Sequence, residues 1–134
     1  MSLNRRKGRN SSVRSFVVVS ILFIILLILV FSNAFFIQSS SEKLFKSVCD
    51  IPPVDSDICL ERITAFEENW NKFKKAASLT VSYSELNRIS CLIDELYAHH
   101  SNRNEFDFDH TLAIIKNSLR EIPRFETLSS DSVF

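Results

Sequence analysis

Residues 16–37 read FVVVSILFIILLILVFSNAFFI, and this stretch decides the architecture. From Phe16 to Phe31 fifteen side chains are apolar and one, Ser20, is not. After Ser32 and Asn33 the run resumes with Ala34, Phe35, Phe36 and Ile37. As a helix these residues extend about 33 Å, which matches a hydrocarbon core of about 30 Å. Leu, Ile, Phe and Val each favour insertion by roughly 0.3–0.6 kcal/mol at the bilayer centre, and no charge opposes them. A core helix of a small soluble domain carries an apolar stripe rather than apolar side chains all round. The stretch therefore predicts a transmembrane helix over 16–37. The alternative is a signal peptide cleaved after Ala34, since Ser32 and Ala34 are small residues at the right spacing. Signal cores run about 7–15 apolar residues, however, and this run is longer and resumes beyond the break.

Charge falls into two unequal parts around the run. Arg5, Arg6, Lys7, Arg9 and Arg14 precede it without an acid, a balance of +5. From Gln38 onward 11 Lys/Arg face 16 Asp/Glu, a balance of −5, so the overall net charge of zero describes neither part. Basic flanks stay in the cytoplasm, so these five residues act as the topology signal and place the C-terminal part outside. The Arg5-Arg6 pair lacks the rest of a twin-arginine export signal. The acidic remainder is a poor nucleic-acid binder, because phosphate binding needs basic surface.

The part beyond the run reads as helical. The whole 134-residue chain has one glycine, Gly8, and three prolines, too few breakers for a turn-rich β fold. Ser39-Ser40-Ser41 looks like a short polar join. Ile37, Leu44 and Val48 share one helical face beyond it, so a stalk to about Cys49 is expected, ended by Pro52-Pro53. A second helix is expected from Asp55 or Ser56, either of which can cap it. Its stripe is Cys59, Ile63, Phe66, Trp70, Phe73 and Ala77, the spacing of a helix packed on other helices. Ser82-x-x-Glu85 reads as a capping box for a third helix, whose stripe is Leu86, Ile89, Ile93, Leu96 and His100. Ser101 to Asn104 form the next turn. A fourth helix carries Phe108, Leu112, Ile115, Leu119 and Ile122, and Pro123 is expected to close it. The fold class is all-α: one N-terminal transmembrane helix followed by a small antiparallel bundle of three to four helices. The divisions are a basic cytoplasmic tip over 1–15, the transmembrane helix over 16–37, an extracytoplasmic bundle over 38–126 and a flexible tail over 127–134.

Several of these residues carry a resemblance. They are Ser40-Ser41-Glu42-Lys43-Leu44 after the apolar run, Trp70, Glu85-Leu86, Ile89, Ile93, Leu96, Leu112, Ile115-Lys116, Leu119, Ile122-Pro123 and the apolar end Ser132-Val133-Phe134. In this register the chain resembles a family of small bacterial membrane-anchored proteins known only as domain-of-unknown-function family 4363. The resemblance implies a bacterial envelope protein and brings no activity with it. Many members have Asp-His where this chain has Ser82-Tyr83, and the three cysteines are unlike the usual member.

Candidate chemistry is sparse. Cys49 and Cys59 flank the Pro-Pro turn, and outside the cytoplasm they could pair, stabilising by roughly 2–3 kcal/mol if unstrained. Reduced, partly buried thiols are the other reading. Cys91 lies about 180° from the mean direction of the third helix's stripe, so an exposed thiol is expected there. No Cys-x-x-Cys pair suggests zinc, and adjacent His99 and His100 point to different faces. Asp107, Asp109 and His110 read as an acid-rich helix start favoured by the helix dipole. Trp70 and Tyr83 could line a ligand groove, although a tryptophan in the middle of a stripe is more often core. No cofactor is expected, and no convergent set of polar groups suggests an enzyme. The expected partners are the lipid bilayer and another envelope protein or a second copy of the chain, with a ligand-sensing bundle and an exported soluble bundle as alternatives.

Overall fold

The computed structural model describes the backbone of residues 3–131 and the side chains of residues 9–124. Four helices are present among the described residues: α1 Leu3–Cys49, α2 Cys59–Ala77, α3 Tyr83–Ser101 and α4 Glu105–Asp131. The chain divides into two compact units, residues 1–35 and residues 36–134.

The described part of the first unit, residues 3–35, is helical backbone whose described apolar side chains, from Val13 to Phe35, are exposed. Among the described residues this is the one helix long and apolar enough to cross a membrane, and none of its most apolar window is buried. Ser20 turns its hydroxyl back onto the Phe16 carbonyl at 2.8 Å, which hides the one polar group of the run.

The second unit is a four-helix bundle, because the last turns of α1 belong to it. The three serines make no break: the helix passes through them, and Ile37, Ser41, Leu44 and Val48 are buried in the bundle core. The expected stalk is thus the first member of the bundle. Each short connection reverses the chain. Cross-helix hydrogen bonds record this for α2 and α3, since the partners of Glu67, Trp70 and Lys74 are Tyr97, Ser90 and Ser90. Residue numbers rising along α2 meet numbers falling or level along α3, which is antiparallel pairing.

The stripe read for α2 is the set of residues the helix buries. On α4 Phe108, Leu112, Ile115, Leu119 and Ile122 are all buried. On α3 Leu86, Ile89, Ile93 and Leu96 are buried, Leu92 joins them, and His100 is only half-buried at the edge. Leu92 is adjacent to Ile93, so α3 presents a wider face than a single stripe, as a helix held between two neighbours must. Burying each of the larger side chains is worth about 1.5–3 kcal/mol.

Three expectations about helix ends are not met. Helix α2 begins at Cys59, not at Asp55 or Ser56, and neither residue caps it: Ile58 precedes the helix without a side-chain cap. The loop instead folds back to bury Ile51 and Val54, and its amides bond locally, Ser56 N–H to Pro53 O and Cys59 N–H to Ser56 O, each at 3.0 Å. At α3, Ser82 holds the capping position but its hydroxyl makes no cap bond, and Glu85 lies 3.9 Å from Arg88 instead of reaching back. A side-chain cap is made at α4, where Asn104 Oδ1 accepts from the Asp107 amide and Asn104 Nδ2 donates to the Asp107 carboxylate.

The third difference is Pro123, which lies inside α4 instead of ending it, so that residues 127–131 of the expected tail are helical backbone and 132–134 lie outside the described residues. Proline lacks the N–H that would reach the carbonyl four residues earlier, here Leu119. The buried Ser41 hydroxyl donates to that carbonyl at 2.7 Å. One orphaned acceptor and one buried hydroxyl satisfy each other, which lets the helix continue through the proline.

Candidate functional site

The three cysteines are free. The bridge considered between Cys49 and Cys59 is not made: Cys49 is exposed, whereas Cys59 is wholly buried with its thiol on the Pro52 carbonyl at 3.6 Å. Cys59 opens the α2 stripe and so points into the core, while Cys49 ends α1 on the solvent side. Burial pushes the Cys59 thiol above its ordinary value, because the thiolate is disfavoured in apolar surroundings. Cys91 is exposed, as its helical phase requires, with the Asn87 amide 3.9 Å from its sulfur.

Two polar nodes join α2 to α3. The Ser90 hydroxyl accepts from Trp70 Nε1 at 3.0 Å and from Lys74 Nζ at 2.9 Å, and donates to the Leu86 carbonyl at 3.2 Å. That uses its full hydrogen-bonding capacity. The Tyr97 hydroxyl donates to Glu67 Oε2 at 2.7 Å and lies 3.2 Å from Thr64 Oγ1. Burial raises the Tyr97 phenol above its ordinary value; the bond with Thr64 pulls it down, while Glu67 and the charge of Asp94 add to the rise. Both nodes place an amphipathic ring at the helix seam with its polar atom matched, which fixes the register of the pair.

Trp70 and Tyr83 do not meet at a groove. Trp70 is 1 % exposed and tilted against Phe73 at 5.6 Å, whereas Tyr83 is 72 % exposed with Lys74 Nζ 5.8 Å from its ring centre. Asp109 and His110 are exposed at the start of α4, and Asp107 serves the cap. No group of three or more His, Cys, Asp or Glu side chains converges on a metal-sized site among the described residues. Arg9 and Arg14 of the topology signal are exposed; the side chains of Arg5, Arg6 and Lys7 lie outside the described residues.

What the fold does assemble is a charge gradient along the bundle axis. The end at which the chain enters, called here the lower end, is built from residues 36–48, 69–93 and 111–124, which hold nine Lys/Arg against three Asp/Glu. The upper end, from residues 49–68 and 94–110, holds two Lys/Arg against eleven Asp/Glu. Because the helices alternate in direction, three separate stretches of sequence bring basic side chains to the lower end and two bring acidic side chains to the upper. A single balance of −5 for the second part conceals this. Large apolar side chains are exposed at both ends: Phe106 at 80 %, with Ile58 and Leu60 near half, at the upper end, and Leu79 at 88 %, with Tyr83, at the lower.

No family model, no curated protein and no solved structure matches the chain.

Proposed function

We propose that the chain is a single-pass membrane protein whose helical bundle is a non-enzymatic interaction module, recognising another protein through its upper end. The observation that carries this reading is that Phe106, Ile58 and Leu60 are exposed in the half of the bundle whose stretches carry eleven acidic side chains. Apolar anchors within a polar rim are the usual make-up of a protein interface, and the charge favours a partner with basic surface. The exposed apolar run of α1 supports the anchor. The five basic residues before it support a cytoplasmic N-terminus and a bundle on the opposite side of the membrane. A bacterial envelope setting rests on the resemblance to family 4363 alone, and no family model matches the chain.

Photo-crosslinking from positions 60 and 106 in native membranes tests it. A discrete crosslinked product is expected from both, weakened by Glu105→Lys and by high salt. Absence of any product from both positions, with crosslinker incorporation verified, counts against the reading. The ligand-sensing alternative has no shared groove at Trp70 and Tyr83 to support it.

A further inference from the structure

We propose that the lower end of the bundle is a docking surface for an anionic lipid surface. The inference rests on the reading of residues 16–37 as a membrane span and adds to it a second, reversible contact made by the bundle itself.

Three independent observations converge on this end. The first is charge. Of its three acids, Glu85 and Glu121 are held beside Arg88 and Arg124 at 3.9 and 3.1 Å, so most of the basic excess is left unmatched. It comes from the seven other basic residues, Lys72, Lys75 and Lys116 among them, which belong to α1, α2 and α4 and are gathered only by the fold. The second is the α2–α3 turn, which offers Leu79 at 88 % exposure and Tyr83 at 72 %. A leucine so exposed has no structural duty in the bundle, and a tyrosine beside it suits the headgroup level, where an apolar ring and a polar tip are both accommodated. Lysines flanking such a pair can lay their stems on apolar surface and keep their ammonium groups among phosphates. The third is continuity: the bundle begins at Phe36, at this same end, and takes its first two residues from the end of the apolar run. A partner with apolar depth and a negatively charged face, present wherever residue 36 is, fits all three. The upper end has the opposite charge and would be repelled by the same surface, so the gradient gives the bundle a defined polarity.

The test uses the full chain carrying Cys49→Ser and Cys91→Ser, with buried Cys59 retained, and an environment-sensitive fluorophore at Leu79→Cys, Phe106→Cys or Ile24→Cys. Each protein is reconstituted in vesicles of phosphatidylcholine alone or with phosphatidylglycerol, and nitroxide-labelled lipids serve as quenchers. Quenching of the Ile24 probe in both vesicles reports the membrane span; an unquenched Ile24 probe removes the span and this proposal together. With the span in place, the Leu79 probe is expected to be quenched at headgroup depth when phosphatidylglycerol is present and released by salt, with the Phe106 probe in water throughout. Lys72→Gln and Lys75→Gln are each expected to lower the docked-to-free ratio about fivefold, the factor for one basic residue near an anionic surface. The emission of Trp70, the single tryptophan, verifies the fold of each variant. A Leu79 probe that stays in water in anionic vesicles overturns the proposal while leaving the span intact. Shielding of Leu79 that ignores lipid charge and grows with the protein-to-lipid ratio identifies a second copy as the occupant and overturns it as well.

Discussion

Single residues in this bundle are best understood through the partner each was left to find. Pro123 withholds an N–H from Leu119, and Ser41, 78 positions earlier, supplies the missing donor. Ser41→Ala leaves a buried carbonyl unpaired and is expected to cost about 1–3 kcal/mol in urea unfolding. In a Pro123→Ala background the new amide takes over the carbonyl, so the same serine change should cost distinctly less. Equal costs in the two backgrounds would show that the serine and the proline are not coupled. Cys59 provides a second case, with a sign that can be worked through. Burial raises its folded-state pKa above the unfolded value. The protonated thiol is then favoured by folding, and its contribution is complete below the ordinary thiol pKa of 9.0 and lost as pH rises beyond it. Stability measured from pH 7 to 10 should decline more steeply in the parent than in Cys59→Ala. Over the same range a maleimide should label Cys91 and Cys49 well before Cys59. A slope unchanged by Cys59→Ala would assign the alkaline decline to other groups, Tyr97 first among them.

At the scale of elements, the helix ends divide into those held by side chains and those held by backbone. Asn104 caps α4 through its side chain, so Asn104→Ala is expected to cost about 1 kcal/mol in thermal melts, whereas Ser82→Ala, which removes no cap bond, should cost only a few tenths. The end of α3 is closed by backbone alone: the Asn104 amide reaches the His99 carbonyl at 3.0 Å and the Arg103 amide reaches His100 at 3.1 Å. This closure needs a left-handed residue, and Arg103 fills the place with φ 50°. Glycine adopts that conformation without the penalty a Cβ brings, so Arg103→Gly should stabilise by about 0.5–1 kcal/mol after its added unfolded-state entropy. A loss of stability would mean that the arginine side chain earns its strain elsewhere. These ends also show what the sequence can convey. Stripes such as Cys59 to Ala77 were legible because packing repeats with the helical period, and the burial of Ile37 and Val48 followed from the same rule. The caps were not legible, because Ser82 and Asn104 are equally good capping residues and only the path of the incoming loop decides which one turns its side chain inward. Pro123 reads locally as a stop, and the hydroxyl that cancels it belongs to another helix. The charged ends were invisible for a related reason, since like charges are scattered along the chain and meet only when α1 to α4 alternate in direction.

For the whole molecule, the decisive quantity is which side of a membrane the bundle occupies. The five basic residues ahead of the apolar run face none of the opposing sign, and short basic flanks are retained in the cytoplasm. The bundle also carries a basic end, but its charges are dispersed over a folded unit in which acids predominate, and topology responds to Lys/Arg close to the span. Residue 36, where the bundle begins, is followed at once by buried Ile37, so the core starts where the apolar run stops. Cleavage after Ala34 would leave that first core helix with a freshly charged amine on Phe35, two residues from Ile37. This arrangement favours retention of the run as an anchor, and it separates two outcomes cleanly. A retained anchor gives a protein of full 15.4 kDa mass that resists alkaline carbonate and dissolves only in detergent, with a reporter after Phe134 active outside the cytoplasm and one before Met1 active within. A processed protein loses the run and is released as a soluble bundle. Replacing Arg5, Arg6, Lys7, Arg9 and Arg14 by Gln should then mix the two orientations of the anchored form, because the remaining basic residues at the lower end of the bundle are the nearest competing positive charges. If the orientation stays uniform after all five are replaced, the bundle itself, and not the basic tip, dictates the side on which it folds.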